Sequence, residues 1–143
     1  EGVLLSEREQ LLRRLFGLHF YLESDEALVA FAGEFRETLE SACGGAESWS
    51  RESVRFAENR DTLIFEAERA FALSRERIAE ESAALLERFR RAALRERYEN
   101  AIAALRVAEQ AGDNAELERA ARECEEIRKE MAVVKFYGDQ TPI

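Results

Sequence analysis

The residue types that most often carry out catalysis or hold metals are scarce in this chain. His19 is the only histidine, and it lies among large apolar neighbours without an evident partner for general-base or metal chemistry. We expect it to be a buried, hydrogen-bonded histidine. Di-iron helical bundles require Glu-x-x-His on two helices, whereas the residue three positions before His19 is Phe16. The sequence therefore excludes that class of metal site.

The two cysteines, Cys43 and Cys124, offer neither a disulfide framework nor the paired spacing of a zinc site. We expect both to be reduced thiols that pack in the interior, and we expect a cytoplasmic location. No apolar run approaches the ~20 residues that a membrane-spanning helix needs, and the sequence has no signal-peptide pattern.

The many glutamates follow arginines at helical spacing, which is typical of solvated, ion-paired helix faces. The sequence contains no Gly-rich phosphate loop, no Ser-His-Asp or Cys-His set and no aspartate cluster for magnesium. We therefore expect no catalysis and no cofactor. The net charge of -9 also argues against direct binding of nucleic acid, because that affinity comes from clustered Lys and Arg.

The composition favours helices, with 46% hydrophobic residues, 36% charged residues and a single proline. The predicted fold is all-α: a small helical bundle, residues 1–92, is continued by a long helix into a C-terminal antiparallel helical hairpin, residues 93–143. The chain begins at Glu1 rather than at methionine, which suggests a piece excised from a longer protein.

The first half of the chain carries several helix signals. Ser6, followed three residues later by Glu9, predicts a capping box and a helix from Glu7 to Leu22. Apolar residues cover more than one face of this helix, so we expect it to be central in the bundle. Asp25 is the predicted cap of the next helix, which Gly44-Gly45 should end.

The next two segments concern Trp49 and a long apolar pattern. Ser50 as N-cap would place Trp49 just outside a helix, with Val54 as its partner in a hydrophobic staple. A helical phase then continues for some thirty residues, although Ser74 could begin a new helix. Its positions are Ile64, Ala67, Phe71, Ser74, Ile78, Ser82, Leu85 and Phe89.

The apolar stripe rotates around residues 90–93, which indicates a different packing neighbour on either side. A new heptad pattern then precedes the turn at Gly112 and Asp113, where a left-handed C-cap is followed by an N-cap and by Glu116. A matching pattern follows, so the sequence predicts the hairpin. The two patterns are Leu94, Tyr98, Ala101, Leu105, Ala108 and Leu117, Ala120, Cys124, Ile127, Met131, Val134.

Four of these eleven heptad positions are alanine or cysteine, so the hairpin is weakly held on its own, because a buried Leu, Ile or Met gains only ~1.5–3 kcal/mol. An apolar cluster at its end favours a contact surface: Met131, Val133, Val134, Phe136 and Tyr137. The alternatives are that the hairpin packs back on the bundle, or that it pairs with a second chain.

The segment LLERFRRAALRERYENAIAALRVAEQAGDNAELERAARECEEIRKEMA, about a third of the chain, resembles the C-terminal helicase-binding domain of bacterial DNA primase. In that family a long charged helix leads through an acidic "EAE-x-x-GD" turn to a final helix ending near "L-K-K-E-L". The matching residues are 108–113 and 127–131. Upstream, SEREQLLRRLF and LIFEAERAF are similar to the family's bundle, whereas HFYLESDEAL replaces its usual "N-P-E-L" turn.

The resemblance implies a docking module that recruits primase to the N-terminal collar of the hexameric replicative helicase and modulates helicase activity. The RNA-synthesising parts would lie outside this chain, which would be monomeric or weakly dimeric when isolated. The resemblance places the helicase-contacting surface on the final helix, at Glu123, Ile127, Glu130, Met131, Val134, Phe136 and Tyr137.

Two other functions fit the same pattern. The helicase's own N-terminal domain looks similar in its bundle and hairpin, and it would assemble into rings. A coiled-coil scaffold would pair its heptads between chains and form an elongated dimer. The self-association of the isolated chain separates these functions.

Overall fold

A computed structural model describes residues 5–71 and 76–139, with side chains described to residue 133. In these ranges the chain forms helices and no strand, so the predicted all-α class is confirmed. The helices are α1 (Glu7–Ser24), α2 (Val29–Ala42), α3 (Ala46–Ala57), α4 (Arg60–Phe71), α5 (Ile78–Ala111) and α6 (Asn114–Asp139). None of them combines the length and the apolar character that crossing a bilayer requires.

The chain divides into two compact units, residues 1–89 and residues 90–143, and the division falls within α5. We call them the bundle unit and the terminal unit. The boundary predicted from the sequence lies after residue 92, three residues further along the chain.

The core of the bundle unit is built on α1. The prediction of a central helix is confirmed, because every residue from Leu15 to Leu22 is buried and α2, α3 and α4 all pack against it. A helix that is apolar on all sides needs other helices to cover every side. The buried positions are Leu11, Leu12, Leu15, Phe16, Gly17, Leu18, His19, Phe20, Tyr21 and Leu22.

Local capping signals place the ends of the first helices. The Ser6 hydroxyl accepts a hydrogen bond from the Glu9 amide at 3.1 Å, as predicted, while the Glu9 carboxylate accepts one from Arg55 of α3 at 2.8 Å. The Asp25 carboxylate caps a single 3₁₀ turn, Glu26–Leu28, that leads directly into α2. Gly44 and Gly45 then adopt positive φ angles of 106° and 111°, which ends α2.

The predicted staple between Trp49 and Val54 is wrong. The third helix begins at Ala46, directly after Gly45, so Trp49 lies in its first turn rather than outside it. Trp49 is 7% exposed and stacks on Phe16, with 5.1 Å between ring centroids, whereas Val54 is 71% exposed. Burial of the indole against α1 therefore determines the phase of this helix, and Ser50 does not cap it.

The long apolar pattern from Ile64 to Phe89 belongs to two helices, because α4 ends at Phe71 and α5 begins at Ile78. Ser74 lies outside the described residues. Within α4 the predicted Ala67 and Phe71 are buried, but Leu63 is buried in place of the predicted Ile64, which is half-buried. In α5 the predicted Ile78, Ser82, Leu85 and Phe89 are all buried.

The terminal unit contains the second part of α5, the turn and α6. Gly112 has a φ of 68°, and the Asp113 carboxylate accepts a hydrogen bond from the Glu116 amide at 3.1 Å, so the predicted caps are confirmed. Across the turn, a small core forms from Ala101, Cys124 and Ile127. Partly buried side chains surround this core: Leu94, Tyr98, Ile102 and Met131.

Candidate functional site

The predicted contact residues begin with two glutamates on α6 that share one arginine of α5. Arg97 donates hydrogen bonds to Glu123 at 3.2 Å and to Glu130 at 2.9 Å. Each of the three side chains is about half exposed. Partial burial lowers the pKa of the Arg97 guanidinium, but its bonds with the two carboxylates raise that pKa above the ordinary value overall. The predicted contact face thus contains a solvent-accessible ion-pair network that links α6 to α5.

Ile127 lies between these glutamates along the chain, but its side chain is completely buried. It packs against Ala101 and Cys124, so it supports the surface from beneath and is not available to a partner. The physical reason is its spacing: residue 127 is in phase with the buried Ala120 and Cys124, which face α5. The inclusion of Ile127 among the contact residues is therefore corrected.

The remaining predicted contact residues lie towards the end of α6. Met131 is half-buried and packs on the edge of the small core. Val133 is 55% exposed and belongs to the apolar cluster of the sequence, although it was not among the predicted contact residues. The backbone of Val134, Phe136 and Tyr137 lies within α6, but their side chains are outside the described residues.

A second link between the two helices was missed by the sequence analysis. Arg128 donates a hydrogen bond to the Tyr98 hydroxyl at 3.1 Å, and its guanidinium lies 6.0 Å from the centroid of the tyrosine ring. Arg128 also pairs with Glu125 at 3.4 Å. The position of Tyr98 in the heptad pattern could have predicted this link, since a tyrosine hydroxyl at the edge of a core needs a polar partner.

His19 lies in an aromatic cluster of the bundle unit and is 5% exposed. Its ring centroid is 5.0 Å from that of Trp49 and 5.3 Å from that of Phe20. Nε2 lies 3.5 Å from the Glu23 carboxylate, and Nδ1 has no hydrogen-bond partner among the described residues. His19 is buried, as predicted. In place of the expected hydrogen bond, it makes only the long contact between Nε2 and Glu23.

Burial lowers the pKa of His19; Glu23 acts in the opposite direction, while Arg36 and Arg60 lower the pKa further. The imidazole is therefore neutral near pH 7. In the part of the chain that the structure describes, no group of three His, Cys, Asp or Glu side chains could hold a metal ion.

The two cysteines are free thiols. Cys124 is buried in the core of the terminal unit, and Cys43 is half-buried at the end of α2. Burial, with a smaller contribution from Glu52, raises the pKa of Cys43 to about 11. A thiol in this state is protonated at neutral pH and is a poor nucleophile.

Comparison with known proteins identifies no relative. No protein-family model, no curated protein and no solved structure matches this chain at a significant level. The geometry of the site and the residue pattern of the final helices are therefore the basis for any functional assignment.

Proposed function

We propose that this chain is a protein-docking module, equivalent to the C-terminal helicase-binding domain of bacterial DNA primase. It would attach primase to the N-terminal collar of the hexameric replicative helicase during the priming of DNA replication, and it would modulate helicase activity. The chain would bind through the outer face of α6 and would not itself be catalytic. The proposal rests on the residue pattern from Leu85 to Ala132 and on the character of that face.

The observation that carries the proposal is the mixed surface on α6. Glu123 and Glu130 are half exposed and pair with Arg97, and the exposed Val133 lies one turn beyond Glu130. Met131 is half-buried at the edge of the core and offers only part of its side chain. Fixed charges beside apolar side chains give an interface both orientation and affinity, since charges set encounter and register while apolar anchors supply most of the binding energy.

The small core of the terminal unit supports the same proposal. Ile127 is the large side chain that is fully buried in it, beside the small Ala101 and Cys124, whereas the larger apolar side chains around them are only partly buried. Burial of one such side chain contributes only ~1.5–3 kcal/mol, so the unit has much to gain from further burial against a partner. A docking element of this kind binds strongly when its partner supplies the missing apolar surface.

Light scattering after size exclusion is the test, first on this chain alone and then on its mixture with the hexameric replicative helicase from the same source. We expect a monomeric chain that co-migrates with the helicase. The combined changes Met131→Ala, Phe136→Ala and Tyr137→Ala should weaken binding at least ~10-fold, because apolar anchors near the centre of an interface typically cost more than 1 kcal/mol each.

A matched variant controls for unrelated surface changes. Val107→Ala combined with Glu118→Gln alters one exposed apolar and one exposed charged residue of the same two helices outside the proposed surface. This variant should bind as the original chain does. A free chain that forms rings would instead indicate the helicase's own N-terminal domain. An elongated dimer without helicase binding would indicate a coiled-coil scaffold, and either result would refute the docking function.

A further inference from the structure

The negative charge of the protein is concentrated in the bundle unit. Residues 1–89 contain 19 Asp and Glu against 11 Arg, a net charge of -8, whereas residues 90–143 contain 11 acidic and 10 basic residues. Nearly all of the net charge of -9 therefore belongs to the bundle unit. A field of this sign attracts cationic partners and repels anionic ones.

An open groove lies between the end of α1 and the first turns of α2. It has a volume of about 310 Å³ and is lined by Glu23, Val29, Ala32, Gly33 and Arg36. Val29 is 52% exposed, and a Cβ placed on Gly33 would meet no atom within 4 Å. The floor of this groove, which we call the α2 groove, is thus a strip of small and apolar residues that no residue described in the bundle unit fills.

Acidic side chains surround the α2 groove. Glu23 lines it directly, and its carboxylate lies 3.5 Å from the buried Nε2 of His19. Glu37 is exposed and lies one helical turn beyond Gly33, while Glu26 is exposed three residues before Val29. The cation that lines the groove, Arg36, lies over the Trp49 ring with 5.8 Å to its centroid.

We propose that the α2 groove binds a basic amphipathic helix of a partner protein. A helix fits because Gly33 lets another backbone approach closely, and helix axes in contact lie only ~8–10 Å apart. Small apolar side chains of the partner would cover Val29 and Gly33, in the way that amphipathic helices lay one face into a groove. Its lysines and arginines would face Glu23, Glu26 and Glu37, which complement them in charge.

The negative charge of the bundle unit argues against three other kinds of ligand for the α2 groove: nucleic acid, an anionic lipid surface and a second copy of this chain. Nucleic acid and anionic lipid surfaces would be repelled by the net charge of -8 on the bundle unit. A second copy of this chain would bring an equally acidic bundle unit to the interface. This inference does not depend on the proposed docking function, because the groove lies wholly within the bundle unit.

Trp49 provides the readout, since it is the only tryptophan and Arg36 joins it to the groove. The probe is a synthetic helical peptide of 14 residues, matching the length of α2, with an Ala/Leu face and a Lys face. Titration of the full chain, followed by Trp49 fluorescence and by calorimetry, should show saturable binding. Raising the salt from ~0.05 M to ~0.5 M should weaken it, because surface charges are screened. A peptide with Glu in place of every Lys should not bind.

Two substitutions locate the site. Gly33→Leu places a large side chain in the groove at a position where a Cβ has open space, and it should weaken peptide binding at least ~10-fold, which corresponds to ~1.4 kcal/mol. Thr38→Leu adds the same side chain to an exposed position on the side of α2 away from the groove, and it should leave binding unchanged.

Circular dichroism should show that both variants remain folded. Failure of the Lys peptide to bind, equal binding of the Glu peptide, or unchanged binding by Gly33→Leu would each refute the α2 groove as the site. The helicase takes no part in this experiment, so these outcomes leave the proposed docking function to its own test.

Discussion

The backbone of Leu63 in α4 touches α1 at Gly17: a Cβ built on Gly17 would lie 2.9 Å from the Leu63 carbonyl oxygen. The two helices approach each other at the point where α1 has no side chain. Because the obstructing atom belongs to a backbone, it cannot move aside without shifting α4.

Gly17→Ala should therefore destabilise the bundle unit even though alanine favours helices. Overpacking of a core typically costs ~1–3 kcal/mol, which exceeds the ~1 kcal/mol gained in helix propensity. Gly33→Ala is the matched control: it also lies within a helix but meets open space, so it should stabilise the protein by ~0.5–1 kcal/mol. Urea unfolding measures both changes, and a Gly17→Ala variant as stable as the Gly33→Ala variant would contradict the close approach of α1 and α4.

The buried His19 predicts a pH dependence of stability. Its folded-state pKa lies below the ordinary value of 6.5, so the unfolded chain binds a proton more readily than the folded chain. Where the unfolded state holds more protons than the folded state, the free energy of unfolding decreases as the pH falls. His19 should therefore reduce the free energy of unfolding as the pH falls below about 6.5. Unfolding in urea at pH 7.5 and at pH 5.5, followed by Trp49 fluorescence, measures this loss.

A His19→Gln variant controls for the carboxylates, which it leaves unchanged. It should be less stable at pH 7.5 but should lose less stability on going to pH 5.5. If the original chain and the variant showed the same pH dependence, His19 would not be the group responsible.

Ile127 should contribute far more to the stability of the terminal unit than to the affinity for a partner. Ile127→Ala leaves a cavity between α5 and α6, and such changes typically cost ~2–5 kcal/mol. Val133→Ala, on the exposed side of α6, should change stability by less than ~0.5 kcal/mol. Amide hydrogen exchange in α6 measures both effects, and equal protection in the two variants would contradict the burial of Ile127.

The Arg97 network should make a small but measurable contribution. Because its members are about half exposed, solvent screening limits each pair to ~1 kcal/mol or less. A double-mutant cycle of Arg97→Gln and Glu130→Gln, measured by thermal unfolding, should give a favourable coupling that shrinks at high salt. Arg106→Gln, at an exposed position on the same helix, should show no coupling with Glu130.

Capping signals were the part of the fold that the sequence predicted best. Ser6, Gly44, Gly45, Gly112 and Asp113 act on their immediate neighbours, so their residue types alone determine which helix end they form. Apolar periodicity likewise predicted that α1 would be central, because hardly any position in its second half tolerates solvent.

Features that depend on distant residues were predicted less well. Trp49 was misplaced because its position depends on Phe16, a residue of another helix, rather than on the serine that follows it. Periodicity did not separate Leu63 from Ile64, since adjacent apolar residues differ by less than one third of a helical turn. The partners of Arg97 lie 26 and 33 residues away, beyond the reach of any local pattern.

The turn at Gly112 and Asp113 also fixes how far α6 is displaced along α5. Only these two residues separate the end of α5 from the start of α6, so a slide of α6 by one heptad, ~10 Å, would require helical turns at the ends to unwind. Buried alanines such as Ala101, Ala108 and Ala120 resist such a slide weakly, because small side chains fit one another in several alignments. The turn therefore sets the axial alignment of the two helices, and with it the position along α5 at which the last turns of the chain are presented.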